Sequence, residues 1–294
     1  YIMSAPASLG NVSTGNFTST PAPKGRLAGT KEFLESSSVI AKLAFLLLVL
    51  VVFVLVLRAG IYILTYLNKP SSSPTLISGM NDASHMTVIP QNPSVPHAVP
   101  ILRSVNQKDG IEFTWSVWTY IKDLKPENLY KHVFHKGNNS VNKSSGMNFP
   151  NNAPGLYIAP YTNNFVIMMN TFKKIKEEIV VEDIPLNKWV NIIIRVEHTN
   201  LDVYINGTIV KRHVLNSVPR QNYGDVYVSM NGGFSGYTSD LKYWNYALDI
   251  REIQKIIDNG PNLKMNDKSM LESEPRYFSL RWFYQNPEMD YGGL

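Results

Sequence analysis

An apolar block at residues 39–67 constrains this chain more than any other feature of its sequence. Within it, an uncharged run begins at Leu43 and ends at Leu57. As a helix this run is about 22 Å long, and the whole block is long enough to cross a bilayer core of about 30 Å. A buried core helix is the alternative, but the block is apolar on every side and is flanked by polar segments. The block therefore predicts a single transmembrane helix, with the lipid bilayer as its partner.

Charged and aromatic residues near the ends of the block fit this interpretation. Lys42 and Arg58 can extend toward opposite headgroup layers, and Tyr62 and Tyr66 suit the aromatic belt of a membrane interface. Positive charges are more numerous before the uncharged run than after it, which predicts the N-terminus inside and the C-terminal part outside. The charges before the run are Lys24, Arg26, Lys31 and Lys42, and those after it are Arg58 and Lys69.

The segments on either side of the block are polar. Residues 1–38 are rich in Ser, Thr, Gly, Ala and Pro, and we expect a polar N-terminal tail. Residues 68–108 are rich in Pro and Ser, which disfavours helix and central strand and predicts an extended stalk. Because the sequence begins at Tyr1 and not at Met, we expect a processed chain or part of a longer gene product.

Residues 109–261 change to short alternating runs separated by Gly, Asn and Pro, which is typical of an all-β sandwich or barrel. The sequence Asn206–Gly207 between two such runs predicts a tight hairpin. A helix is predicted at residues 249–259, where Ile recurs at helical spacing before Gly260. The predicted strands are residues 111–121, 131–135, 155–158, 165–170, 178–181, 189–197, 201–205, 208–213, 225–230 and 238–245.

The order of these runs resembles the laminin-G-like, concanavalin A-like jelly roll. The resemblance is carried by FTWSVWTYI, HVFHKG, GLYIAP, LNKWVNIIIRVE, LDVYINGTIVKR and MNGGFSGYTSDLKYWNYALD, in this order. It implies a domain at residues 109–261 with two stacked antiparallel sheets of about 12 to 14 strands. Relatives of this kind often bind Ca²⁺ through a loop Asp and backbone carbonyls, which makes Asp183 and Asp240 weak calcium candidates. We otherwise expect no metal and no cofactor.

Enzyme chemistry has little support in the sequence. A glycosidase needs two carboxylates that face one cleft, but adjacent residues such as Glu177 and Glu178 point to opposite faces of a strand. We interpret residues 173–178 as a solvated hairpin. His132 and His135 are also expected on opposite faces, and the absence of Cys removes thiol nucleophiles and Cys-ligated metals. We therefore expect no catalytic residues and no enzyme activity.

The partners that remain are proteins, lipid and glycans. The net charge of +5 is dispersed along the chain, which argues against nucleic acid. Trp118 and Tyr161 are candidate glycan contacts. An aromatic run within the C-terminal tail, residues 262–294, is a candidate docking segment for a neighbouring protein. Its members are Tyr277, Phe278, Trp282, Phe283 and Tyr284.

The anchor, the sandwich and the lack of Cys together resemble the membrane-anchored minor capsid proteins of large icosahedral DNA viruses. This resemblance implies a non-enzymatic protein that tethers a capsid layer to an internal virion membrane. The alternative is a cell-surface lectin or adhesion protein that binds glycans.

Overall fold

The computed structural model describes residues 38–67, 69–107, 110–124 and 127–266. The predicted polar tail, except Ser38, and the whole aromatic run at residues 277–284 lie outside the described residues. The described residues divide into two units, one that ends at Lys69 and one that begins at Pro70.

The first unit contains a helix, α1 (Val39–Leu67), which covers the whole apolar block. Nearly all of its side chains are exposed, including those of Tyr62 and Tyr66. Among the described residues, α1 is the one helix long and apolar enough to cross a membrane. This is consistent with a single-pass membrane anchor, because a helix that is apolar on all sides has no polar face for water.

The second unit is a sandwich of two antiparallel sheets, which confirms the predicted fold. The described residues form thirteen strands. The first sheet contains β1 (Met80–Asp82), β3 (Val105–Gln107), β4 (Gly110–Asp123), β9 (Trp189–Glu197), β10 (Asn200–Ile205), β11 (Thr208–Val214) and β13 (Ser235–Trp244). The second contains β2 (Thr87–Ile89), β5 (Lys131–Gly137), β6 (Gly155–Ile158), β7 (Phe165–Met169), β8 (Glu177–Val181) and β12 (Asp225–Val228).

The strand order brings distant parts of the sequence together. It is β1-β13-β4-β9-β10-β11 in the first sheet, where β3 also pairs with β4, and β2-β12-β5-β6-β7-β8 in the second. Strand β4 lies centrally and places Phe113, Trp115 and Val117 in the core, as its alternation predicts. The Trp115 ring lies 5.3 Å from Phe134 of the opposite sheet, measured between ring centroids, and 5.0 Å from Tyr243. Tyr243 belongs to the same sheet as Trp115, so the contact between Trp115 and Phe134 is the one that joins the two sheets.

The prediction of an extended stalk at residues 68–108 is wrong for much of this segment, which forms part of the sandwich. Strand β1 pairs with β13, strand β2 pairs with β12, and Ile77 and Ile89 are buried in the core. The physical reason is that both strands have three residues and lie at sheet edges. The surrounding prolines therefore interrupt no central ladder. The sandwich begins well before residue 109.

The predicted hairpin and terminal helix are confirmed. Asn206 and Gly207 have φ values of 48° and 80°, as a two-residue turn between β10 and β11 requires. The helix α2 (Ile250–Asn259) begins with a capping box, in which Asp249 accepts from the Glu252 backbone N–H at 2.7 Å. It ends at Gly260, which has a φ of 66°.

Candidate functional site

A cleft of about 450 Å³ lies at one end of the sandwich, where β4 ends and β5 begins. We call it the Tyr161 cleft. Its walls come from the turn between β1 and β2, the end of β4, the segment after β6 and the loop between β12 and β13. The residues that give it chemical character are Asp82, Lys122, Asp123, Tyr161, Asn231 and Phe234.

The loops around the cleft depend on backbone conformations that few residues adopt. Tyr161 and Asn231 have φ values of 59° and 54°, and Gly233 has a φ of 50°. The Phe234 N–H donates to the Ala83 carbonyl at 3.0 Å, which holds the β12–β13 loop against the β1–β2 turn. A Cβ atom on Gly233 would lie 1.9 Å from that same carbonyl oxygen, so only glycine permits this approach.

The cleft presents both signs of charge. The Asp82 carboxylate accepts from the Ser84 backbone N–H at 2.8 Å and from its hydroxyl at 2.7 Å. These hydrogen bonds lower the pKa of Asp82. The Lys122 ammonium donates to the Tyr237 hydroxyl at 2.9 Å and lies 4.2 Å from the centre of that ring. The contact with Tyr237 raises the pKa of Lys122. Both groups are therefore charged at neutral pH.

This arrangement favours binding over proton transfer. A general acid needs a carboxyl group that stays protonated near neutral pH, and the hydrogen bonds from Ser84 act on Asp82 in the opposite direction. The side chains of Glu127 and Lys131, which also line the cleft, form an ion pair. The residue Tyr161 is 66% exposed and lines the cleft together with ionised and amide groups. Such a surface can stack on an apolar face of a ligand while it hydrogen-bonds to hydroxyl groups.

Trp118, the other candidate glycan contact, is buried and does not line the Tyr161 cleft. It lies on β4 between β13 and β9, and it is only 6% exposed. Trp118 lines a different cleft, beside Asp240 and the segment after α2. The structure therefore does not bring Trp118 and Tyr161 together. The sequence alternation of β4 could not show which distant residues share a cleft with Trp118.

The two calcium candidates lie apart in the fold. Asp183 is exposed in the turn after β8 of the second sheet and has a φ of 59°. Asp240 lies at an irregularity in β13 of the first sheet, where its carboxylate accepts from the Asn262 backbone N–H at 3.0 Å. This contact gives Asp240 a structural role. Calcium binding by either residue stays a prediction.

The described part of the chain contains one group of three possible cation ligands, namely Glu112, Glu197 and His198. Their ligand atoms lie within 4.8 Å of one another. The Arg195 guanidinium lies 2.8 Å from the Glu197 carboxylate, where it competes with any cation. We therefore assign no metal to this group.

The prediction that His132 and His135 point to opposite faces is wrong. The pairing of β5 with β6 shifts register between His132 and Phe134, and this bulge turns both imidazoles to one side. The His132 Nε2 atom lies 2.6 Å from His135 Nδ1. His132 Nδ1 accepts from the Met230 N–H at 3.0 Å, and His135 Nε2 lies 3.0 Å from the Asn138 carbonyl.

These contacts define one hydrogen-bonded chain of two neutral rings. His132 Nδ1 must be an acceptor, so its Nε2–H donates to His135, whose own Nε2–H donates to Asn138. Burial, reinforced by His135, lowers the pKa of His132 well below its usual value. Burial also lowers the pKa of His135 to about 4. Every ring nitrogen is occupied, which leaves none to bind a metal.

Glu177 also departs from prediction, because it is buried and not part of a solvated hairpin. Its carboxylate lies 3.0 Å from His213 Nε2 and accepts from the Asn216 backbone N–H at 3.0 Å. The neighbouring Glu178 is exposed, as expected for adjacent residues on a strand. The two carboxylates therefore do not face a common cleft.

The family of the chain follows from its sequence pattern across the sandwich. The laminin G family model described as "Concanavalin A-like lectin/glucanases superfamily" matches residues 98–254. The match spans more than half of the chain, and the chain therefore belongs to this family. Among curated proteins, none matches the chain.

Several solved structures share part of the architecture at low identity. The receptor binding domain of botulinum neurotoxin D is 11% identical, with a TM-score of 0.44 over 64% of this chain and 43% of that chain. The botulinum neurotoxin serotype G binding domain is 14% identical, with a TM-score of 0.42 over 64% of this chain and 50% of that one. The binding domain of botulinum neurotoxin DC in complex with SialylT is 14% identical, with a TM-score of 0.39 over 50% of this chain and 35% of that chain. The chain thus spans half or less of these structures, and the likeness identifies no ligand for it.

Proposed function

We propose that this protein is a non-catalytic, membrane-anchored binding protein whose sandwich binds a saccharide in the Tyr161 cleft. The observation that carries the proposal is the exposed residue Tyr161 beside ionised and amide groups in a cleft of about 450 Å³. Membership of a family described by its lectins and glucanases agrees with a saccharide as the ligand.

Saccharides match the chemistry of this cleft. A sugar ring has an apolar C–H face that can stack on Tyr161 and hydroxyl groups that both donate and accept hydrogen bonds. The Asp82 and Asp123 carboxylates can accept from hydroxyl groups, and the Lys122 ammonium can donate to them. The β12–β13 loop adds Asn231, whose amide can do both.

The helix α1 is the proposed anchor. Its length and its uncharged run from Leu43 to Leu57 fit one passage through a bilayer, with Lys42 and Arg58 near the headgroups and the sandwich outside. Limited proteolysis of sealed vesicles tests this orientation. The sandwich should be digested in intact vesicles, and its protection would reverse the proposed topology.

Saccharide binding can be tested with the full chain in lipid nanodiscs on a glycan array. Tyr161→Asn removes the ring and retains a residue that tolerates a positive φ. Phe172→Asn is the matched control, because Phe172 is an exposed aromatic residue outside the cleft. We expect Tyr161→Asn to lose at least about tenfold in affinity, as stacking and hydrogen bonding together supply several kcal/mol. Equal affinities in the two variants would contradict the site.

Incubation of the same protein with labelled β-glucan oligosaccharides tests the non-catalytic part of the proposal. We expect the oligosaccharides to remain intact. Hydrolysis that depends on Asp82 or Asp123 would instead identify a glucanase.

A structural role is the second candidate, in which the protein tethers a capsid layer to an internal virion membrane. Its support is the apolar helix on a chain without Cys, followed by the aromatic run of residues 277–284 as a docking segment. After detergent treatment of virions, this role requires the protein to stay with the capsid shell. Complete release with the lipid would count against it.

A further inference from the structure

A second cleft, of about 330 Å³, lies at the opposite end of the sandwich. Strand β5 begins beside the Tyr161 cleft at Lys131 and ends beside this second cleft at Lys136. We call it the Lys136 cleft. The residues used below are Gln91, Arg103, Lys136, Asn222, Tyr223 and Asp225.

Lys136 is an unusual residue for this position, because it is only 6% exposed. Its ammonium donates to the Gly224 carbonyl oxygen at 2.6 Å. Among the described residues this is its one hydrogen bond, although an ammonium group has three donors. Burying a charge is costly unless it is paired and hydrogen-bonded. Two donors of a buried cation are therefore left for a ligand in the cleft.

Two amide side chains of the cleft, those of Gln91 and Asn222, are already engaged within the protein. Gln91 accepts from the Ile101 N–H at 2.9 Å and donates to the Val99 carbonyl at 3.1 Å. Asn222 donates to the Lys136 carbonyl at 3.0 Å and accepts from the Gly224 N–H at 2.9 Å. These amides cannot also bind a ligand without losing those contacts.

Of the charged groups in the cleft, Asp225 is hydrogen-bonded to other described residues of the protein and Arg103 is not. The Asp225 carboxylate accepts from the Gln91 N–H at 2.8 Å. The Arg103 guanidinium lies 6.0 Å from the centre of the Tyr223 ring. In the described part of the chain, this guanidinium donates no hydrogen bond. The cationic donors that remain for a ligand therefore belong to Lys136 and Arg103. A negatively charged group that only accepts hydrogen bonds can bind to the donors of both side chains.

We propose that the Lys136 cleft binds the oxyanion group of a small ligand, with Lys136 as the buried point charge and Arg103 as the exposed fork. The volume exceeds that of a bare ion, which leaves room for an attached body such as a sugar ring. Carboxylate, sulfate and phosphate share this chemistry, and the test below distinguishes them. The site is separate from the Tyr161 cleft and does not depend on the saccharide proposal.

The site has a distinctive pH dependence. Burial lowers the pKa of Lys136 to about 8, and the negative charge of Asp225 opposes this change. The other ionisable groups that line the cleft are Arg103 and Tyr223. Anion affinity should therefore fall as the pH rises through about 8, where Lys136 loses its charge. A site built on arginine alone would not respond at this pH.

Isothermal titration of the full chain in nanodiscs tests the proposal. The probes are sodium glucuronate, sodium sulfate and inorganic phosphate, with glucose as the neutral match for glucuronate. Lys136→Met removes the charge and keeps an apolar chain of similar length, and Lys211→Met is the control on the exposed strand β11. We expect Lys136→Met to weaken binding of the preferred anion at least about tenfold, and Lys211→Met to leave it unchanged.

Further measurements keep the proposal falsifiable if Lys136→Met does not fold. Wild-type affinity for the anion should decline between pH 7 and pH 9. Tyr161→Asn should leave anion affinity unchanged, which separates the two clefts. The proposal is overturned if the wild type binds none of the three anions or binds glucose as well as glucuronate. It is also overturned if folded Lys136→Met retains full affinity, or if wild-type affinity is constant from pH 7 to pH 9.

Discussion

Acid should destabilise the sandwich through the buried pair of His132 and His135. Both rings are neutral in the folded state, because burial lowers the pKa of each below its usual value. In the unfolded chain both titrate near pH 6.5. Below that pH the unfolded state binds protons that the folded state does not. The free energy of unfolding therefore rises with pH in this range. The contribution is complete above about pH 6.5 and is lost as the pH falls toward 4.

The magnitude follows from the two pKa values of His135. Its pKa changes from the ordinary value of 6.5 to about 4 on folding, and each unit of pKa change corresponds to about 1.4 kcal/mol. His135 alone therefore contributes about 3 kcal/mol of pH-dependent stability, and His132 acts in the same direction. This is a large part of the stability of a typical domain.

Urea unfolding of the full chain in detergent micelles, followed by Trp fluorescence from pH 7 to pH 4, measures this effect. Replacing both rings with glutamine, as His132→Gln with His135→Gln, should flatten the pH dependence between pH 6.5 and pH 4. The exposed residue His97, with a φ of 60°, provides the control His97→Asn, which should retain the wild-type slope. If the double variant and the wild type lose the same free energy of unfolding across this range, the reasoning is refuted.

Three further substitutions test the packing by urea unfolding. Trp115→Ala removes the largest buried ring between the sheets and should cost about 3–5 kcal/mol, whereas a cost under about 1 kcal/mol would mean that the ring is not packed as described. Asp249→Ala removes the cap of α2 and should cost about 1 kcal/mol, and an unchanged stability would argue against the capping box. Gly233→Ala places a Cβ atom 1.9 Å from the Ala83 carbonyl oxygen, whereas the Cβ atom of the control Gly232→Ala meets no atom within 4 Å. Gly233→Ala should therefore lower the free energy of unfolding by at least about 2 kcal/mol more than Gly232→Ala does. Equal losses in the two variants would contradict the close approach.

Much of the fold could be predicted because its signals are local. The alternation at residues 111–121 lies within β4, and Asn206–Gly207 adopts the predicted turn because few other residue pairs allow two positive φ values. The helix α2 ends at Gly260 for a similar reason. In each case a short stretch of residues determines the backbone conformation without help from distant segments.

The remaining features depend on residues that are far apart in sequence. Strands β1 and β2 have three residues each and owe their conformation to β13 and β12, so their proline-rich context gave no local signal. The bulge that joins His132 to His135 is a property of the pairing with β6. Of the two predicted glycan contacts, Tyr161 lines the first cleft, whereas Trp118 is buried on β4 and lines a different cleft together with residues after α2.

The edges of the two sheets have a consequence for self-association. Strands β1 and β2 are too short to template a long added strand, and the outer strand β11 carries the exposed cations Lys211 and Arg212. Short strands and charged side chains at an edge discourage pairing with another copy or with an extended peptide. Copies of the sandwich at high local concentration should therefore not extend one another's sheets through β1, β2 or β11.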